Sequence, residues 1–157
     1  MDPSTPPDNS AIASAYDAIA ERWLDDCFKL DNGVRQHDMC HWTPARRYRF
    51  ISGWDSLWHI ALDQQWTLML KLMGALEPEG VFIFTAGGLD SADAHVDSAM
   101  GPAVLYSTLG IPGLLGVVKE GGCIVRHLEF DQLAHKHVFM VVQREVASSA
   151  APVDRSI

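Results

Sequence analysis

The sequence is short of cysteine, of basic charge and of long apolar runs, and each shortage closes off a class of explanation. Its three cysteines, Cys27, Cys40 and Cys123, are odd in number and share no pattern. They make no disulfide framework, and they suit a reducing, cytoplasmic compartment. Lysine and arginine total 12 against 20 aspartates and glutamates, for a formal charge of −8. A surface of that sign does not attract nucleic acid or an anionic membrane as its main partner. The one basic cluster, Arg46, Arg47 and Arg49, precedes an apolar run and reads as solvated loop. No apolar stretch reaches the roughly 20 residues of a membrane helix. The opening MDPSTPPDNS has neither the basic nor the apolar region of a signal peptide. CxxC and HExxH spacings are also missing. His37, Asp38, Cys40 and His41 therefore lie close together without a metal motif, and no metal is expected. Cys40 likewise lacks the surroundings of a nucleophile.

What is present suits one domain with a real core, since 48% of the residues are apolar. We place it at residues 11–145, between a disordered lead-in (1–10) and a disordered tail (146–157) rich in Ala, Ser and Pro. The chain is organised around Tyr48 to Ile60, YRFISGWDSLWHI. Phe50 and Ile51 read as buried strand, Gly53 allows a tight bend, and Asp55-Ser56 supplies helix-start chemistry. A strand whose carboxyl end carries polar and aromatic residues is where an open α/β sheet places a ligand.

The remaining elements follow in order. Asn9 or Ser10 caps a helix whose face is Ile12, Tyr16, Ile19 and Trp23, ending near Leu24 to Cys27. Val34 to Met39 is a candidate short strand. Leu62, Trp66, Met69, Met73 and Leu76 predict a long amphipathic helix, stopped by Glu77-Pro78-Glu79-Gly80. Val81 to Thr85 is a continuous apolar run, as in a strand covered on both faces. Residues 89–103 are polar and read as an irregular, partly helical excursion, followed by a short extended piece at Val104 to Tyr106. A helix opens near Pro112 and ends at Gly121-Gly122. Cys123 to Phe130 and His137 to Arg144 are too closely joined for a parallel crossover and predict an antiparallel pair. The fold class is α/β with an antiparallel C-terminal hairpin.

In this order the pieces resemble a class I S-adenosylmethionine-dependent methyltransferase. YDAIAERW (Tyr16 to Trp23) resembles that family's N-terminal helix, and QHDM (Gln36 to Met39) the segment after its third strand. FISGWDSLWHI resembles the fourth strand and its loop, LEPEGVFIFTAGG the approach to the fifth strand, and Cys123 to Arg144 the sixth and seventh. The likeness covers roughly residues 16–145. It implies a Rossmann-like sheet in which strands four, five, seven and six lie side by side. It also implies S-adenosyl-L-methionine as cofactor and a small-molecule methyl acceptor. Carried over by position, Asp38 and Met39 would face the adenine, and Trp54 and Asp55 would line the sulfonium pocket. Trp58, Met100 and Tyr106 would contact the acceptor, with His59 as candidate catalytic base. Each has a bland alternative: Asp38 as loop carboxylate, Trp54 and Tyr106 as packing, Asp55 as helix cap, and His59 bonded to backbone. His127, Glu129, His135 and His137 read as edge and turn residues.

The departure from the family is large. Between Trp23 and Val34 lie ten residues whose only glycine is Gly33. The family's first two strands and its glycine-rich loop do not fit there, so the resemblance is to a truncated methyltransferase, weak or inactive alone. The outer edge of the Tyr48–Gly53 strand would then stand open. That edge invites a second copy or a partner chain, which would make the protein a docking module. A small-molecule binding module is a further alternative.

Overall fold

The computed structural model describes residues 37–98, 103–132 and 136–146. The expected N-terminal helix, residues 34–36 of the candidate strand, both terminal segments except Val146, and Met100 lie outside them. His37 to Met39, the rest of that candidate strand, belongs to no strand.

Strand β1 (Tyr48–Gly53) runs parallel to β2 (Leu76–Gly87). Strand β2 pairs antiparallel with β6 (His137–Arg144), and β6 with β5 (Cys123–Gln132). The sheet order β1-β2-β6-β5 is the one implied for strands four, five, seven and six. Between β1 and β2 come a 3-10 turn (Leu57–His59) and helix α1 (Leu62–Gly74). Between β2 and β5 come a hairpin, β3 (Asp93–Asp97) with β4 (Val104–Thr108), and then helix α2 (Gly110–Glu120).

Both helices lie on one face of the sheet. Leu68, Met69, Leu72 and Met73 of α1 and Leu114, Val117 and Val118 of α2 share a buried cluster with Phe82, Phe84, Met140 and Val142. The helices meet where Gly116 leaves room for Trp66; a Cβ there would stand 3.2 Å from the indole. Fully burying a side chain of this size contributes about 1.5–3 kcal/mol, so this cluster is the main source of stability.

Three expectations are corrected. Helix α1 stops at Gly74, short of Leu76. The Ala75 carbonyl accepts the Tyr48 amide at 2.8 Å, which turns the chain into the sheet, and Leu76 is already fully buried strand. Glu77 to Gly80 is therefore a bulge within β2, with the register stepping between Tyr48 and Phe50 and Glu79 at φ 62. Residues 89–103 are not partly helical where described, because β3 pairs with β4 along its whole length. Lastly, the buried face of α1 begins at Gln65, a residue absent from the predicted apolar stripe.

Gln65 ties three elements together. Its side-chain amide donates to the Leu57 carbonyl at 3.0 Å and to the Ser107 carbonyl and hydroxyl at 2.9 and 2.8 Å. Ser107 in turn donates to the Ile60 carbonyl. Thr108 fastens the hairpin to the sheet by donating to the Gly87 carbonyl at 2.6 Å. At the far end of α1, the Lys71 ammonium donates to the carbonyls of Met39, Cys40 and Trp42 at 2.6, 2.9 and 2.8 Å. Replacing Gln65 with leucine keeps its bulk but leaves buried carbonyls without a donor. The expected loss is about 1–3 kcal/mol, read as a lower urea midpoint at unchanged slope, with faster amide exchange in β4.

Candidate functional site at the carboxyl end of the sheet

The carboxyl ends of β1 and β2 share one edge, and the chain crowds aromatic and polar groups there. Asp55 follows β1 at φ 48, a left-handed conformation that aspartate tolerates better than most residues. Two bonds to one partner hold it. The Asp55 amide donates to the Thr85 hydroxyl at 2.8 Å, and that hydroxyl donates back to the Asp55 carboxylate at 3.1 Å. Trp54 is half-exposed and tilts against Phe139, with ring centres 5.5 Å apart.

His137 opens β6 opposite Gly87 and is buried. Its Nδ1 meets the Asp131 carboxylate in a short hydrogen bond, and its Nε2 lies 3.4 Å from the Asp55 carboxylate. The edge of Trp58 packs on the imidazole at 5.2 Å. The bond from His137 holds Asp131 below the ordinary carboxylate range. Thr85, Asp131 and His137 were not singled out as site residues from the sequence. The signal for His137 was available only through strand register, which sets it opposite the end of β2.

His59, the candidate base, has both ring nitrogens engaged. The Trp58 indole, which can only donate, bonds to Nε2 at 2.9 Å. Nδ1 therefore carries the proton and donates to the Leu105 carbonyl at 2.9 Å. Burial pushes His59 below its ordinary value, against smaller upward pulls from the Leu105 bond and the Asp55 charge. This arrangement holds the ring neutral and pins the 3-10 turn to β4. Tyr106 tilts against His59 at 5.0 Å and stacks on His95 at 5.8 Å.

Trp54, Asp55, Trp58, His59 and Tyr106 are thus brought together. Asp38 and Met39 are not. They belong to the turn held by Lys71, at the end of α1 where β1 begins. Asp38 instead accepts from the Cys40 amide at 2.8 Å and from His41 Nδ1 at 2.7 Å, bonds that lower its pKa.

The donor that the resemblance implies was matched against these residues. Gly87 and Gly88 end β2, but the space beside them is taken: a Cβ would stand 3.0 Å from Thr108 and 2.5 Å from Phe130. The void lined by Leu57, Trp58, Ser107 and Leu114 has a volume of about 10 Å³, room for no more than a water. Among the described residues no buried side-chain polar atom lacks a partner. No group of His, Cys, Asp and Glu there is placed to hold a metal, and no helix among the described residues is long and apolar enough to cross a membrane. Beside Gly87 and Gly88 and in this void there is no room for a group the size of S-adenosylmethionine.

The state of His59 can be read from the pH dependence of folding. Its pKa is lower folded than unfolded, so the unfolded chain takes up the proton first. Stability on this account falls as pH drops below about 6.5. His59→Gln should be less stable at neutral pH yet lose less on acidification to about pH 5, measured by urea unfolding across that range.

No family model and no curated protein matches the sequence. Solved structures do match by fold. One is 1,6-didemethyltoxoflavin-N1-methyltransferase from Burkholderia thailandensis, at 16% identity and a TM-score of 0.57. The match covers 90% of this chain and 58% of that one, so this chain spans little more than half of it. Another is an amino pentose methyltransferase from Micromonospora echinaspora, at 13% identity and a TM-score of 0.57, covering 85% and 71%. A third is a putative S-adenosylmethionine-dependent methyltransferase from Listeria monocytogenes, at 9% identity and a TM-score of 0.62, covering 87% and 86%. With the sheet order already described, the chain has the fold of the class I S-adenosylmethionine-dependent methyltransferases.

Proposed function

We propose that this protein belongs to methyl-transfer chemistry: S-adenosylmethionine as donor and a small molecule as acceptor. The described residues form only the acceptor-side wall, and the chain alone is weak or inactive. The observation that carries this reading is the Trp54-Asp55 turn. It stands at the carboxyl edge of a methyltransferase sheet, beside Trp58, Tyr106 and His137. An aromatic face and a carboxylate suit a cationic group. The matched structures named for their substrates, a toxoflavin precursor and an amino pentose, support a small acceptor.

Within this reading Trp54 and Asp55 face the donor, while Trp58 and Tyr106 shape the acceptor side. Met100, outside the described residues, keeps its place as an acceptor contact by position alone. His59 serves as the base only if a bound acceptor displaces the Trp58 indole. Asp38 and Met39, in the turn held by Lys71, keep their place as adenine contacts by position alone. Calorimetric titration of the folded protein with S-adenosylmethionine should give no binding heat up to about 1 mM, a free energy weaker than about −4 kcal/mol. Micromolar binding would show a complete donor site and end the claim that this chain is weak alone.

A second reading rests on the edge of β1. Among the described residues β1 pairs with β2 alone, and Phe50 is 57% exposed. A free apolar edge suits a docking module that pairs with a second copy or another chain. Light scattering should then find a dimer that charging the strand, as in Phe50→Asp, returns to monomer. A monomer at high concentration would count against a second copy.

A further inference from the structure

The segment that leads into β1 borders an open cavity of about 400 Å³, lined by Pro44, Arg46, Arg47, Lys71 and Gly74 among others. That volume is ordinary for a small-molecule site. Its charge is opposite to that of the chain, which carries −8 overall. No described carboxylate pairs with Arg46, Arg47 or Lys71, so nothing described neutralises them.

Each cation is oriented by a neighbour. The Arg46 guanidinium lies over the Tyr48 ring, 5.3 Å from its centre. Arg47 Nη1 donates to the Leu76 carbonyl at 3.2 Å. The Lys71 ammonium has given its donors to three carbonyls, so it adds charge alone. Arg47 has spent one N–H and Arg46 none on the described residues, so the pair keeps donors for an oxyanion. The negative end of α1 would oppose an anion here, but it is covered. The Met73 carbonyl accepts from Arg144 at 2.8 Å and the Ala75 carbonyl from the Tyr48 amide at 2.8 Å.

We propose that this cavity binds a small organic phosphate, with its phosphoryl group on Arg46 and Arg47 and its body beside Pro44 and Gly74. Guanidinium forks match phosphoryl oxygens in pairs. The oxygens of a phosphoryl group can take both forks at once, whereas those of a carboxylate are filled by one. Three cations suit a dianion. Nucleic acid is the weaker occupant, because the rest of a surface at −8 repels a polyanion. The inference does not depend on methyl transfer.

Titration of the isotope-labelled full chain with phenyl phosphate, inorganic phosphate and acetate tests it, at fixed ionic strength and read by NMR amide shifts. Phenyl phosphate should saturate with a Kd below about 1 mM and shift the amides of Ala45 to Tyr48, Gly74 and Ala75. Inorganic phosphate should bind several-fold more weakly, and acetate should not saturate. Arg46→Gln/Arg47→Gln should weaken phenyl phosphate at least tenfold while the amides of Phe82 and Met140 keep their shifts and report an intact core. A native chain that does not saturate would overturn the proposal. So would acetate binding as well as phosphate, or an affinity that survives the double substitution. Equal affinity for inorganic and phenyl phosphate would overturn the organic body. Should the double variant not fold, Arg46→Gln alone is the second probe, since it removes no hydrogen bond to a described residue. It should weaken binding several-fold, and unchanged affinity would overturn the proposal.

Discussion

The parallel pairing of β1 with β2 sets the layout of the chain, because a parallel pair cannot be closed by a hairpin. The connection must cross over a face of the sheet, and α1 is that crossover. Its apolar side then has to be buried, which fixes the face on which Phe82, Phe84 and Met73 meet. Parallel strands also end at the same edge, so the turns after β1 and β2 are neighbours. Asp55 and Thr85 can bond only because of this, being 30 residues apart in sequence.

The edge is polar inside and aromatic outside. The Asp55-Thr85 pair and the Asp131-His137 pair meet through the long Nε2 contact, so an imidazole stands between two carboxylates. Such a group is costly to bury unless hydrogen-bonded, and here both carboxylates keep some contact with water. His59, a few residues from Asp55, is held differently: its ring bonds the Trp58 indole and the Leu105 carbonyl and fastens secondary structure, with the Asp55 charge a smaller upward pull.

The sequence disclosed most of the strands because their apolarity is continuous: VFIFT and HVFMVV are buried on the helix side and half-covered on the other. Strand β3 was not legible. DAHVD is exposed at every position, so nothing alternates, and its pairing is settled only by β4 opposite. The turn at Glu77 to Gly80 looked like a helix stop and is a bulge, since local proline and glycine signals mark a bend without saying which element it interrupts. At the site, Trp54, Asp55, Trp58 and Tyr106 were legible by their place after β1. The turn that holds Asp38 and Met39 was not legible, because order along the chain does not say that Lys71 gathers three carbonyls there. His137 needed the register of two antiparallel pairs.

The half-covered face and the polar cluster meet at one edge of the sheet. By strand alternation Thr85 continues the row of Val81 and Ile83, and His137 continues the row of Phe139 and Val141. The polar cluster is therefore the carboxyl end of the same face that lacks a described helix. Among the described residues the other face is filled by α1, α2 and the β3–β4 hairpin that Gln65 and Thr108 hold in place, while Trp54 and His137 border the half-covered one.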